Sequence, residues 1–132
     1  GYKLPIISNN YFVELAEANE AIYEIVKELE KTPITIKTLN IRVDTARDLS
    51  LKLYNTTNEM IKTARLAEMT IVYGNRYKVM DEDIERGLDV ASQLFFKGNY
   101  KKSLETAIAA INIVEPDILK KMLEVYKTSV EA

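Results

Sequence analysis

The chain has 132 residues, with 18 lysines and arginines against 20 aspartates and glutamates, and neither cysteine nor histidine. A composition of 47% hydrophobic and 29% charged residues is that of a folded soluble domain, and the length suits one domain or two small helical units. A net charge of −2 gives no general attraction to nucleic acid, the lack of cysteine excludes disulfides and thiolate metal sites, and the lack of histidine removes the commonest general base. No catalytic group, metal site or cofactor is therefore expected, and the chain is read as not an enzyme.

Four glycines and three prolines are too few for the turns of a sheet, and no segment alternates apolar and polar residues between turn signals. An all-α fold is expected. No apolar run reaches the roughly 18 to 20 residues of a membrane span. The start Gly1-Tyr2-Lys3 is read as that of a piece of a longer chain.

Residues 1–8 read as an irregular lead-in, with Ser8 or Asn9 as a cap. Phe12, Leu15, Ile22, Val26 and Leu29 then recur three and four apart around Asn19. This predicts a first helix with one apolar seam, stopped near Lys31 by Thr32-Pro33. Glu14, Glu17, Glu20, Glu24 and Glu28 form an acidic stripe, expected to be solvated or loosely paired with Arg42, Arg47 and Lys52.

From Leu39 the seam reads Leu39, Val43, Ala46, Ser50, Leu53, Thr57, Met60, Ala64, Ala67, Ile71 and Gly74, alternating four and three without a slip. A heptad of that length predicts one continuous helix over 36–78, about 65 Å long at 1.5 Å per residue, and hence an elongated molecule. The first helix, about half as long, should pair antiparallel with 36–57. Two helices cannot cover both seams, so an exposed apolar stripe is expected there, covered by an upstream helix or by a homodimer.

Asp81, Glu82, Asp83 and Glu85 read as the N-terminus of a third helix rather than a calcium loop. Its inward residues should be Ile84, Leu88, Ala91, Leu94 and Phe95, with Gly98 as its left-handed stop. Asn99 caps a fourth helix with Leu104, Ala107, Ile108, Ile111 and Val114 inward. Pro116 opens a fifth with Ile118, Leu119, Met122, Leu123 and Tyr126 inward. The run Phe95–Lys102 with Ala107, Ala110 and Pro116 is similar to one tetratricopeptide hairpin, with small residues allowing close approach. The expected organisation is a two-helix unit over 1–57 and a helical bundle over 58–132.

Tyr73, Arg76 and Tyr77 lie three and four apart, with Asn75 beside them and Gly74 between. Arginine can take a carboxylate bidentately, asparagine can bridge an extended backbone, and tyrosines supply stacking area. The set suits a short acidic and apolar peptide. It would equally serve to lock the later helices onto the end of the second. Gly74 marks a close approach of another helix or of a ligand.

VDTARDLSLKLYNTTNEMIKTARLAEMTIVYGNRYK and LFFKGNYKKSLETAIAAINIVEPDILKKMLEVY, with YKLP near the start, resemble the closing segments of the EzrA family of septation-ring regulators. The resemblance implies a spectrin-like helical repeat and a partner-binding face at Asn75, Arg76 and Tyr77, to which the spacing adds Tyr73. It implies as partners the tubulin-like division protein FtsZ, through its C-terminal peptide, and other divisome proteins including those of wall synthesis. It also implies a place on the cytoplasmic side of the membrane at the septum, with membrane contact only through an N-terminal anchor outside these residues. Asn75 and Arg76 match the family's Gln-Asn-Arg patch, whose glutamine falls at Val72 here.

Overall fold

The computed structural model describes residues 9–131, so the expected lead-in and the Ser8 cap lie outside the described residues. The elements are α1 (Asn9–Glu30), α2 (Ile36–Gly74), a single 3-10 turn (Asn75–Tyr77), α3 (Glu82–Phe96), α4 (Tyr100–Ile111) and α5 (Ile118–Glu131), with no strand among the described residues. The all-α expectation holds. The chain divides into two compact units, 9–59 and 60–131, with α2 contributing to both.

In the unit 9–59, α1 and the first part of α2 run antiparallel. Glu14 near the start of α1 accepts from Thr56 Oγ1 at 2.7 Å and lies 4.0 Å from Lys52, while Glu24 and Glu28 near its end each lie 3.8 Å from Arg42. The acidic stripe thus supplies part of the interhelical contact. Arg47 departs from expectation and pairs with Asp44 and Asp48 on its own helix. The apolar stripe expected to stay uncovered on this two-helix unit includes the seam of α1: Ala18, Ala21 and Glu28 are buried, while Phe12, Leu15, Ile22, Val26 and Leu29 are exposed. On α2, Ala46 is buried and Val43 and Ser50 are exposed, with Arg42 and Leu49 turned inward in their place. Alanines are thus the buried apolar residues of this pair, and the bulky seam of α1 is left outside.

The unit 60–131 holds a conventional core. Leu66, Ile84, Leu88, Ala91, Ala107, Ile111, Ile118 and Met122 are buried together, flanked by Met69, Ile71, Leu104, Ile108 and Tyr126. α3 and α4 form the tightest pair, as expected of the hairpin. A Cβ added at Gly87 would stand 2.7 Å from the Cβ of Ala110, closer than carbon atoms pack. Buried Ser103 ties the same two helices, its hydroxyl donating to the Ala91 carbonyl at 2.7 Å.

The caps follow the sequence. The Asp81 side chain accepts from the Asp83 amide at 2.7 Å, ahead of Glu82, Asp83 and Glu85 in the first turn of α3. At the other end Gly98, at φ 87°, donates to the Phe95 carbonyl and Asn99 to that of Leu94, each at 2.9 Å, a Schellman motif. The Asn99 side chain then caps α4.

Three expectations change in this unit. The second helix leaves α geometry at Gly74, and the 3-10 turn closes with Lys78 donating to the Asn75 carbonyl at 3.3 Å. A heptad seam carries no mark of such tightening at a helix end. Val114 is exposed because α4 ends at Ile111. Pro116 lies two residues before α5, and Leu119 and Leu123 are partly exposed, because Ile118, Met122 and Tyr126 alone face the core.

Candidate functional site

Gly74 ends α2 against the core: a Cβ there would lie 2.6 Å from Ile111 Cδ1 and 3.0 Å from Leu88 Cδ1. The close approach expected at this glycine is therefore that of α3 and α4. The turn that follows sets Tyr73 and Tyr77 side by side, their ring centroids 6.1 Å apart at 63°. Both hydroxyls donate to the same carboxylate oxygen, Glu115 Oε1, from Tyr73 at 2.6 Å and from Tyr77 by a short bond. Lys121 at the start of α5 donates to the Tyr73 hydroxyl at 2.6 Å and lies 3.9 Å from Glu115 Oε2.

Arg76 is exposed on the outer side of this cluster. Its Nε donates to the Tyr73 carbonyl at 3.1 Å, and its guanidinium carbon stands 4.0 Å from the Tyr73 ring centroid, a cation–π contact. Asn75 and Val72 are also exposed, Val72 at 65%. Of the four site residues read from the sequence, the structure puts Tyr73 in contact with both Arg76 and Tyr77 and leaves Asn75 beside them on the surface. The two tyrosine hydroxyls are turned to Glu115, whereas Asn75 and Arg76 face solvent.

Glu115 and Lys121 were not legible as members of this group. They lie 38 to 48 residues further along the chain, Glu115 in the loop before Pro116. The one available signal is that two half-buried tyrosines need hydroxyl partners.

The electrostatics are those of a closed network. Hydrogen bonds from Tyr73 and Tyr77, aided by the nearby charges of Lys121 and Arg76, hold the Glu115 carboxyl below the usual carboxylate range. The bond to Glu115 and the neighbouring Tyr73 push the Tyr77 hydroxyl well above its ordinary value. The bond to Tyr73 raises the Lys121 ammonium. Glu115, Tyr77 and Lys121 are thus each held in their ordinary neutral-pH form. A general acid or base would instead be poised to exchange a proton near neutrality. Among the described residues there is also no group of three or more carboxylates placed to hold a metal ion.

Fold and site together define a helical module with an exposed Asn–Arg pair mounted on a tyrosine platform. A family model described as "Septation ring formation regulator, EzrA" matches residues 2–126. The chain belongs to the EzrA family. It is 34% identical over 125 residues to the septation ring formation regulator EzrA of Geobacillus kaustophilus, covering 95% of this chain and 22% of that protein. It is 30% identical to the EzrA of Geobacillus sp. strain WCH70 over the same shares, and 30% identical to that of Listeria innocua over 97% of this chain and 23% of the relative. The chain thus spans about a fifth of the length of these curated relatives. No solved structure matches it.

Proposed function

We propose that this chain is a non-catalytic, spectrin-like piece of a cell-division regulator that binds FtsZ through the face carrying Asn75 and Arg76. In this reading the full-length protein acts at the division septum on the cytoplasmic side of the membrane. It restrains aberrant ring assembly and links the ring to wall-synthesis proteins and, through an anchor elsewhere in its chain, to the membrane. No helix among the described residues is long and apolar enough to cross a membrane.

The observation that carries the reading is the fixed guanidinium of Arg76, held by Nε and by the Tyr73 ring beside exposed Asn75 and Val72. A pre-positioned fork favours bidentate capture of a carboxylate, since little of its freedom remains to be lost on binding. Val72 offers an apolar contact next to it, and an acidic, partly apolar peptide such as the FtsZ C-terminus fits both.

One observation favours a second reading, a purely structural spacer with partner binding elsewhere. Both tyrosine hydroxyls are already engaged by Glu115 within the fold. Titration of the chain with the FtsZ C-terminal peptide separates the two. We expect saturable binding that is lost in Asn75→Ala/Arg76→Ala, with a helical melt changed by no more than about 1 kcal/mol, the scale of an exposed cation–π pair. No saturation at high micromolar peptide, or collapse of the fold in the double variant, assigns these residues to packing alone.

A further inference from the structure

The helical spiral continues past Gly74. Lys78 donates to the Asn75 carbonyl at 3.3 Å and Met80 to that of Tyr77 at 3.0 Å, so three-residue turns carry the chain on to Met80. In such turns residues three apart eclipse, which sets Val79 on the same side as Arg76. Val72 lies three and four residues before Asn75 and Arg76 and shares their side by helical spacing. Val72 is 65% exposed and Val79 96%, one at each end of the Asn–Arg pair. Two of the cations around this stripe are already matched, Lys78 with Asp89 at 3.0 Å and Lys121 with Glu115 at 3.9 Å. Arg76 has no ion-pair partner among the described residues.

Rises of about 1.5 Å per residue in the α-helix and about 2.0 Å in the tighter turns put Val72 roughly 7 Å before Arg76 and Val79 roughly 6 Å after it. An extended peptide brings a side chain back to one face every second residue, about 6.6 Å apart. Resting on the peptide-binding reading above, we propose that Val72 and Val79 are apolar seats on either side of Arg76. The ligand they select is an extended segment in which an acidic residue has an apolar residue two positions before it and another two positions after. Its carboxylate supplies the charge that Arg76 lacks, Asn75 bonds its backbone, and its apolar side chains cover the two valines.

The test is titration of the 132-residue chain and its single variants with the FtsZ C-terminal peptide. We expect Val72→Ser and Val79→Ser each to weaken binding about fivefold to tenfold, the scale of a partly covered valine. Both residues are exposed, so the helical melt should not move. Val43→Ser, at an exposed residue far back along α2, should bind as the parent chain does. Single substitutions in the peptide then read the spacing. The acidic position should couple to Arg76→Ala, and the positions two before and two after it to the two valine variants. Unchanged binding in Val79→Ser, while Asn75→Ala/Arg76→Ala still abolishes it, overturns the flanking seats and leaves the reading of Asn75 and Arg76 standing. Apolar couplings one or three positions from the acidic residue overturn the extended pattern, since a shift of one turns a side chain to the opposite face. Equal weakening in Val43→Ser overturns the assignment to these valines, and a parent chain that never saturates removes both the seats and the reading beneath them.

Discussion

Glu115 is the residue on which the cluster turns, since it accepts from both tyrosines and lies beside both cations. Its carboxyl is depressed by those contacts relative to the unfolded chain. It therefore contributes stability that is fully present above the unfolded value of about 4.3 and is lost as pH falls through the folded value. The raised Tyr77 hydroxyl works in the opposite sense, contributing stability below about 10 that is lost as pH rises beyond it. We expect melting temperature to fall less steeply below pH 4.3 in Glu115→Gln than in the parent chain. Parallel acid limbs in the two proteins would remove Glu115 from the account. The spacing of Tyr73, Arg76 and Tyr77 was enough to place them together, because three- and four-residue neighbours on a helix must meet. Their partner was not legible, because nothing local ties a loop glutamate to tyrosines about forty residues earlier.

At the scale of elements, the sequence located nearly every helix and its caps, because capping chemistry is local: Asp81, Gly98 and Asn99 act where they stand. The orientation of α1 was not legible. Periodicity shows that an apolar stripe exists, but which stripe faces a neighbour depends on how closely two backbones approach, and small residues decide that. Gly87 was overlooked for the same reason, as one residue within an otherwise regular helix. Adding a methyl there gains about 1 kcal/mol of helix propensity but forces α3 from α4, and overpacking of this kind costs about 1–3 kcal/mol. We expect Gly87→Ala to destabilise the chain by about 1 kcal/mol net in urea unfolding. Ala110→Gly in that background should recover part of the loss, since it removes the atom the new methyl strikes. A stabilised single variant, or additive losses in the pair, would show that the helices separate without strain.

Across the whole molecule, the two units differ in how much apolar surface they bury. The unit 60–131 encloses Ile84, Leu88, Ile111 and Ile118 completely. In α1, by contrast, only Ala18, Ala21 and Glu28 are buried, and most of its large side chains are left outside, with Tyr11 and Ile25 half-buried. Its hold on α2 rests substantially on ion pairs 3.8 to 4.0 Å apart and partly exposed, contacts worth little individually and weakened further by salt. Local opening should therefore be easiest in α1. In hydrogen exchange of the dilute chain we expect α1 amides to exchange well before those of α3 and α4, and the gap to widen as salt is raised. Protein concentration then separates intrinsic weakness from an uncovered face. If the seam pairs with a second copy, α1 protection should climb with concentration while α3 and α4 stay constant, because binding stabilises by mass action only what it covers. An α1 as protected as α3 at every concentration would mean that its few buried contacts suffice, and that the exposed seam has no bearing on stability.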